Sequence, residues 1–198
     1  MLRKLLCGCI GLALLGAGHP GGELPGWWNG FRTMARLESG FVQQSDSAVF
    51  GKLRRQGQLK LAKGGHLRVE YRPGILLVAD GHSLVQYDPE ARTAQRISLQ
   101  GAVADTPLIN ILLNPGALGG FYEARPGPGQ SVSLEPRRPG LPRVVLTGSG
   151  GLLQRIQWQD ATGASQEIEL QNPHIPAPFA ASVFNFQPPA GTRWLGPR

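Results

Sequence analysis

The amino-acid sequence predicts a domain that is all β or a β-rich α+β fold. Residues 75–89 hold a complete hairpin, in which an apolar run ends at Asp80-Gly81, a pair favoured in two-residue turns with positive φ. The next run, residues 83–87, alternates apolar with polar side chains until Asp88-Pro89 turns the chain again. Because the 28 glycines and 17 prolines fall mainly between short runs of this kind, we interpret them as turns that separate strands.

Further strands are predicted where apolar side chains recur with a period of two, as they do at Leu59 and Leu61. The later predicted strands are residues 120–125, 131–135, 143–147, 152–158 and 165–171. The loops between them, such as residues 126–130, are rich in proline and glycine. A large antiparallel sheet with few helices must close on itself or cover its apolar face, because an open apolar face promotes aggregation.

Two helices are predicted. The first is indicated by a proline followed by mainly apolar residues at helical spacing, namely Pro25, Trp27, Trp28, Phe31, Met34, Ala35 and Glu38. Gly30 is unfavourable inside it. The second helix, residues 107–113, is short, with Thr106 as its cap, Pro107 in its first turn and Asn114-Pro115-Gly116 at its end.

Residues 1–18 have the layout of a cleavable secretory signal. Two basic residues precede an apolar run, residues 5–15, that ends in Gly16-Ala17-Gly18. The run is too short to span a bilayer as a helix. We expect cleavage near His19, which leaves residues 19–198 as a single domain of about 180 residues with a substantial core.

Both cysteines, Cys7 and Cys9, lie in this leader, so the mature domain is expected to have no disulfide and no thiolate chemistry. Leu6-Cys7-Gly8-Cys9 resembles a lipidation box, which would tether the protein to a membrane through Cys9. Such a box follows the apolar run, however, whereas most of the run here follows the cysteine. We therefore favour an exported, soluble protein.

The positive charge of the chain has two interpretations. The formal net charge of +7 falls to +5 when Arg3 and Lys4 leave with the signal. A modest positive charge favours approach to anionic headgroups of a membrane. Nucleic acid is the other typical partner of a basic protein, but Arg54-Arg55 and Arg137-Arg138 have no interleaved aromatic residues on which bases would stack. We expect no nucleic-acid partner.

No catalytic or metal site is predicted. The chain has four histidines, His19, His66, His82 and His174. They form no pair with metal-ligand spacing, and His82 is expected to be an exposed turn residue. Glu167 and Glu169 share a strand face, but Ile168 and Leu170 occupy the other face, so we interpret the carboxylates as an ordinary solvated side. We expect no enzyme activity, no metal and no cofactor.

The hairpin at residues 75–89 resembles the LolA family, periplasmic carriers that take lipoproteins between the two membranes of Gram-negative bacteria and typically read LxVSDGxxLWxYDP here. The matching residues are Leu76, Val78, Asp80, Gly81, Leu84, Tyr87, Asp88 and Pro89. Further matches follow in the same order along the chain: Gly40-Phe41-Val42-Gln43-Gln44, Gly57-Gln58-Leu59-Lys60-Leu61, Leu67-Arg68-Val69-Glu70-Tyr71, Asp105-Thr106-Pro107 and Phe184-Asn185-Phe186-Gln187-Pro188-Pro189-Ala190-Gly191. The resemblance covers most of the mature chain.

The resemblance implies a mainly β (α+β) fold, a curved, incompletely closed antiparallel β-barrel with helices that cover its mouth as a lid. Apolar periodicity by itself predicts a filled core. In LolA proteins, however, the concave sheet face and the lid helices line a cavity for acyl chains. The residues that the resemblance assigns to cargo binding are Trp28, Phe31, Leu67, Val69, Tyr71, Leu76, Val78, Leu84, Tyr87, Ile97, Leu108, Ile111 and Leu112.

The lid of LolA proteins is latched by an arginine on the strand before the hairpin, which donates hydrogen bonds to the short second helix. The usual Lys-Arg-Pro is replaced here by Ala62-Lys63-Gly64, so Lys63 is expected to be the latch residue. A lysine has no planar fork of donors, and Gly64 is more flexible than proline. We expect a weaker latch and a more open resting cavity.

The resemblance implies a monomeric, non-enzymatic periplasmic carrier. Its cargo would be a lipoprotein, received from an inner-membrane exporter and delivered to an outer-membrane acceptor. The altered latch also admits a divergent relative that carries a glycolipid or another acylated product. Two other classes remain open: a lipid-sensing regulatory module, which a protein partner competing with lipid would favour, and an enzyme acting on lipid, for which the sequence nominates no residue.

Overall fold

A computed structural model describes residues 22–99 and 111–196, most of which belong to one twelve-stranded sheet. The strands are β1 (Arg36–Ser47), β2 (Gly51–Ala62), β3 (His66–Tyr71), β4 (Leu76–Asp80), β5 (Ser83–Asp88), β6 (Thr93–Ser98), β7 (Tyr122–Pro126), β8 (Ser131–Pro136), β9 (Val144–Ser149), β10 (Leu152–Gln159), β11 (Ser165–His174) and β12 (Arg193–Leu195). The sheet is not closed, since β12 and β7 form its two ends in the order β12-β6-β5-β4-β3-β2-β1-β11-β10-β9-β8-β7. The predicted fold class is confirmed.

The strand pairs are antiparallel except at one end, where β12 runs parallel to β6. The sequence pattern predicts antiparallel strands only. The exception arises because the chain leaves β11 near the middle of the sheet and crosses six strands before it pairs with β6. Residues 175–192 make this crossing, and they are placed along one face of the sheet by contacts from β1 to β6.

The first helix, α1 (Trp27–Thr33), is shorter than the sequence pattern indicates. Met34, Ala35 and Glu38 do not belong to it, and Glu38 lies in β1 opposite Lys60. Pairing of β1 with β2 overrides the helical pattern, because a strand starting at Arg36 buries Leu37 completely. The fold thereby converts half of the predicted helix into the first strand.

Gly30 is compatible with α1 because of how closely the helix approaches the sheet. A Cβ atom at Gly30 would lie 2.7 Å from Cα of Gly151, in the turn between β9 and β10. The helix cost of glycine is therefore offset by close packing on that turn. Of the second predicted helix, residues 111–113 are described and are helical, and the pattern is confirmed there.

The β4–β5 turn differs in one detail from the sequence prediction. Ala79 pairs with Leu84, so the two turn residues are Gly81 and His82 rather than Asp80 and Gly81. Gly81 alone has positive φ, 95°, which fits a turn with glycine at its first central position. The Asp80 carboxylate accepts hydrogen bonds from the N–H groups of His82 at 2.9 Å and Ser83 at 2.8 Å, and this caps the turn.

The predicted signal, its cleavage site and both cysteines lie outside the described residues, as does the cap at Thr106. The expected single domain from residue 19 onward remains a prediction. In the described part of the chain, no helix is both long and apolar enough to cross a membrane.

Candidate functional site

One face of the sheet, here called the inner face, is covered by α1 and by residues 111–113. Most of the predicted cargo-binding residues meet there in one apolar cluster: Trp28, Phe31, Leu67, Val69, Leu84, Ile111 and Leu112. Tyr71 and Ile97 pack against it and are half-buried. Leu108 lies outside the described residues. The structure thus brings together the helices and the strands that the resemblance implied.

Helix α1 supplies the aromatic part of this cover. Trp27, Trp28 and Phe31 are buried, and their ring centroids lie 5.8 to 6.2 Å apart. The Trp27 indole Nε1–H donates a hydrogen bond of 2.8 Å to the Gln130 carbonyl oxygen, which joins α1 to the β7–β8 loop. The helix is only seven residues long, so its position depends on these contacts rather than on its own helical stability.

Leu76, Val78 and Tyr87 are not on the inner face, which corrects the grouping from the sequence analysis. Val78 pairs with Val85 and Leu76 with Tyr87, whereas Ala79 pairs with Leu84 in the inner cluster. Since successive side chains alternate between faces, the two sets point to opposite sides. The hairpin motif identified the strands, but it does not say which half of its apolar residues faces inward.

The opposite side, here called the outer face, is covered by residues 175–192. Phe184 is buried, with its ring centroid 5.2 Å from that of His66, and Phe186 lies 5.6 Å from Tyr87. The Arg68 Nη1–H group donates to the carbonyl oxygen of Val183 at 3.2 Å. Tyr87 is therefore packed beneath residues 175–192, on the face opposite to the inner apolar cluster.

Several inner-face residues were missed by the sequence analysis. They are Leu37, Phe41, Leu59, Leu61, Ala79, Leu134, Leu146, Leu153, Ile156, Ile168 and Leu170. For those that lie in predicted strands, the period-two pattern is the signal that could have identified them. Leu37 has no such signal, because it falls within the span predicted as the first helix.

The inner face changes from apolar to polar at one end, which we call the open end. Phe41 and Tyr71 meet there edge to face, 5.2 Å between centroids, and the Tyr71 hydroxyl donates to Gln43 Oε1 at 2.9 Å. Beyond them lies a small cavity of about 180 Å³ between Arg55 and Gln166. Burial raises the pKa of Tyr71, and the Arg55 guanidinium, 6.0 Å from its ring, partly opposes that rise.

Tyr122, on β7, carries an unusual buried hydroxyl. The residue is 1% exposed and belongs to the inner apolar cluster, yet its hydroxyl has no hydrogen-bond partner in the part of the chain that the structure describes. Burial raises the pKa of this phenol, and the nearby Arg138 guanidinium opposes the rise. A buried hydroxyl without a partner is costly, so the inner face includes a polar atom that can accept or donate one further hydrogen bond.

Residues typical of catalysis do not converge at the inner face. No group of three or more His, Cys, Asp or Glu side chains able to hold a metal ion exists within residues 22–99 and 111–196. His82 is exposed in the β4–β5 turn, as expected. Glu167 and Glu169 share a face while Ile168 and Leu170 are buried on the other, and Glu167 accepts a hydrogen bond from Gln157.

Comparison with known proteins identifies the family. Residues 32–187 match the family described as outer membrane lipoprotein carrier protein LolA. The chain belongs to the LolA family. An outer-membrane lipoprotein carrier protein from Bordetella bronchiseptica is 28% identical over 167 residues, which are 81% of this chain and 75% of the relative. The carrier from Bordetella avium is 27% identical over 153 residues, 69% and 72% of the two chains.

A solved structure shares the fold at low sequence identity. The crystal structure of a conserved protein from Thermus thermophilus superposes with a TM-score of 0.50 at 10% identity, covering 83% of this chain and 91% of the other. This likeness concerns the fold only. The open-sheet architecture of this chain therefore recurs in a protein with little sequence similarity to it.

Lys63, which the resemblance assigns to the latch, lies in the β2–β3 turn and not on a strand as predicted. It lines a groove of about 350 Å³ together with Leu112, Leu113 and Asn114, at the end of the second helix. Its side chain is exposed, and within the described residues its ammonium makes no hydrogen bond or ion pair. Its backbone N–H donates to the Ala35 carbonyl oxygen at 3.0 Å, which ties the turn to the start of β1.

Proposed function

We propose that this protein is a non-enzymatic periplasmic carrier that shields the acyl chains of a lipoprotein between the inner face of the sheet and its helices. It would receive cargo from an inner-membrane exporter, pass it to an outer-membrane acceptor and act as a monomer. The observation that supports this most directly is the kind of element that covers the apolar inner face. A broad apolar sheet surface is covered by short helical segments instead of by a second sheet.

The helices lie against the sheet and close the inner face, so the more open resting cavity that the altered latch predicts is not observed. Phe31 and Ile111 are 0% exposed, so the space that acyl chains would occupy is filled by the helices. Binding then requires α1 and the second helix to move away from the sheet. Each CH₂ group of an incoming chain contributes about 0.8 kcal/mol on burial, so an acyl chain of ordinary length can replace the contacts that the helices lose.

The groove beside Lys63 supports a role for this residue in setting how readily the helices move. A helix ends with backbone carbonyls that lack intrahelical partners, and basic side chains near that end can bind them. Leu113 is the last residue of the second helix, and Lys63 borders the same groove. Since the Lys63 ammonium makes no bond to those carbonyls within the described residues, it does not hold the helix closed here, and this favours easy release of cargo.

The altered latch also supports a second candidate, a specialised carrier of a glycolipid or another acylated product. In this case too the inner face would bind acyl chains, and only the cargo and its acceptor would differ. Direction of transfer would again follow from the relative affinities of carrier and acceptor, since binding free energy alone decides where the cargo resides.

The first experiment is native mass spectrometry with lipid extraction on the mature protein purified from the periplasm of its own host. Triacylated lipoprotein in the complex would support the lipoprotein carrier, and a distinct glycolipid would support the specialised carrier. If no lipid is present and the protein also fails to take up a fluorescent fatty acid, the apolar cluster is a filled core and the carrier proposal is wrong.

A matched pair of neighbouring residues tests the location of the site. Leu84 and Val85 are both buried, but Leu84 belongs to the inner cluster and Val85 lies on the outer face. We expect Leu84→Ala to change fatty-acid affinity by about tenfold, since it reshapes the cavity wall, whereas Val85→Ala changes it by less than about twofold. Equal effects on affinity would contradict binding at the inner face.

A further inference from the structure

The hairpin between β1 and β2 ends in an exposed apolar tip, here defined as Ala48, Val49 and Phe50. Val49 is 81% exposed and Phe50 89% exposed, the largest values among the exposed large hydrophobic side chains. The tip is ordered by Ser47, whose Oγ accepts hydrogen bonds from the N–H groups of Val49 at 3.2 Å and Phe50 at 3.3 Å. Two adjacent apolar side chains are thus held out in solvent by a defined turn.

The tip projects beyond its neighbouring strands. On one side, β3 ends at Tyr71, opposite Gly57. Residues 51–55 of β2 therefore pair with β1 but have no partner on the β3 side, and all of them are exposed. On the other side, β11 begins at Ser165 opposite Asp46. No other described strand reaches the tip, so within the described residues the tip packs against no neighbouring strand.

Basic residues flank the apolar tip. Lys52 and Arg54 are exposed on β2. Asp46 lies 3.8 Å from the Lys52 ammonium in a well-solvated pair, and Glu167 of β11 lines the same groove as Arg54 and Arg143. Strand geometry places Lys52 about 7 Å from Phe50, a distance comparable to the depth of the headgroup layer of a bilayer. Apolar side chains at the tip with cations one layer behind match an anionic lipid surface.

We propose that the β1–β2 hairpin docks the protein on an anionic bilayer surface, with Val49 and Phe50 inserted at the interface and Lys52 and Arg54 at the headgroups. This goes beyond the proposed carrier function, because it requires no cargo, exporter or acceptor. It also orients the molecule. Arg55 and Leu53 line the cavity at the open end of the inner face, so docking by this hairpin turns the open end toward the membrane.

The test is sedimentation of the cargo-free mature protein with vesicles of equal parts phosphatidylethanolamine and phosphatidylglycerol, compared with phosphatidylcholine alone. The wild type is expected to partition onto the anionic vesicles at low salt. A double variant, Val49→Ser with Phe50→Ser, should lower the partition coefficient by about tenfold or more. Lys52→Gln with Arg54→Gln should lower it about tenfold on anionic vesicles and have little effect on phosphatidylcholine.

Ile175→Ser is the matched control. Ile175 is 59% exposed, yet it follows the far end of β11, about 30 Å along the strand from Ser165. This variant should bind vesicles within about twofold of the wild type, since an exposed apolar residue away from the tip does not contribute. Fatty-acid uptake measured in parallel should be the same for all variants, which separates docking from cargo binding.

Insertion itself is detected with Phe50→Trp and brominated lipids, which quench indole fluorescence on contact. The signal should exceed the quenching of the native tryptophans in the wild type. Absence of wild-type binding, or equal binding by the double serine variant, would overturn the proposal. Loss of binding to native membranes but not to pure lipid in that variant would also overturn it, in favour of a protein partner at the tip.

Discussion

Gly30 of α1 and Gly151 of the β9–β10 turn approach so closely that a Cβ atom on Gly30 would lie 2.7 Å from Cα of Gly151. This contact sets how deeply α1 sits against the sheet. It joins α1 to a turn that is remote in sequence, and it places Trp28 and Phe31 over the inner face. The helix can therefore be displaced by a single methyl group.

Gly30→Ala should loosen the cover of the inner face. Alanine normally stabilises a helix by about 1 kcal/mol relative to glycine, but here the methyl group meets backbone that cannot rotate away. We expect the free energy of unfolding to fall by about 1–3 kcal/mol and uptake of a fluorescent fatty acid to become faster. Gly119→Ala is the control, because a Cβ atom there meets nothing within 4 Å. A more stable Gly30→Ala protein would contradict the packing argument.

Tyr122→Phe and Tyr71→Phe should have opposite effects on stability. Tyr122 loses a buried hydroxyl that has no partner among the described residues, so the free energy of unfolding should rise by up to about 1 kcal/mol or stay constant. Tyr71 loses its hydrogen bond to Gln43, which should cost about 1 kcal/mol. Urea denaturation of both variants measures the difference. A clear loss of stability in Tyr122→Phe would show that the hydroxyl is satisfied in solution.

Lys63→Arg should slow transfer of bound cargo to an acceptor. The arginine fork offers several donors to the carbonyl groups at the end of the second helix, so it would latch the closed state more firmly than lysine. We expect a several-fold slower transfer in a stopped-flow assay with a fluorescent acylated cargo. Lys60→Arg is the control, because Lys60 lies on the outer face of β2, where its ammonium pairs with Glu38 at 3.1 Å. Unchanged transfer kinetics for Lys63→Arg would rule out the latch.

The β4–β5 turn should lose stability in acid through Asp80. Burial alone would raise the pKa of Asp80, but hydrogen bonds from the N–H groups of Ser83 and His82 and from the Ser83 hydroxyl hold it below its ordinary value. Since the folded pKa is lower than the unfolded one, the stabilisation is complete above about pH 4 and is lost as pH falls through the lowered pKa. Asp80→Ala should therefore be less stable than wild type at neutral pH.

The diagnostic measurement is how the difference in unfolding free energy between wild type and Asp80→Ala changes with pH. The gap in unfolding free energy between wild type and Asp80→Ala should narrow as the pH is lowered below 4, because the wild-type carboxyl then becomes protonated in the folded state as well. A gap that stays constant down to strong acid would contradict a charge contribution from Asp80.

The local chemistry of the sequence was sufficient to locate most strands. The predicted strands at residues 131–135, 143–147 and 152–158 agree with β8, β9 and β10 to within a few residues, because alternation of side chains and the Gly or Pro turns between them are local properties. The sequence motifs also sufficed to place the chain in the LolA family, which residues 32–187 confirm.

The tertiary structure decided which face of the sheet is the inner face and which is the outer face. Alternation shows that Val78 and Ala79 lie on opposite faces, but only the packing of α1 and the crossing of residues 175–192 make one face inner and the other outer. It also decided where α1 ends, because strand pairing at Arg36 is a long-range interaction that outweighs helical periodicity. The sequence by itself determined most strands and the family. Long-range packing decided which face of the sheet the helices cover, because alternation divides the side chains into two sets without indicating which set faces the helices.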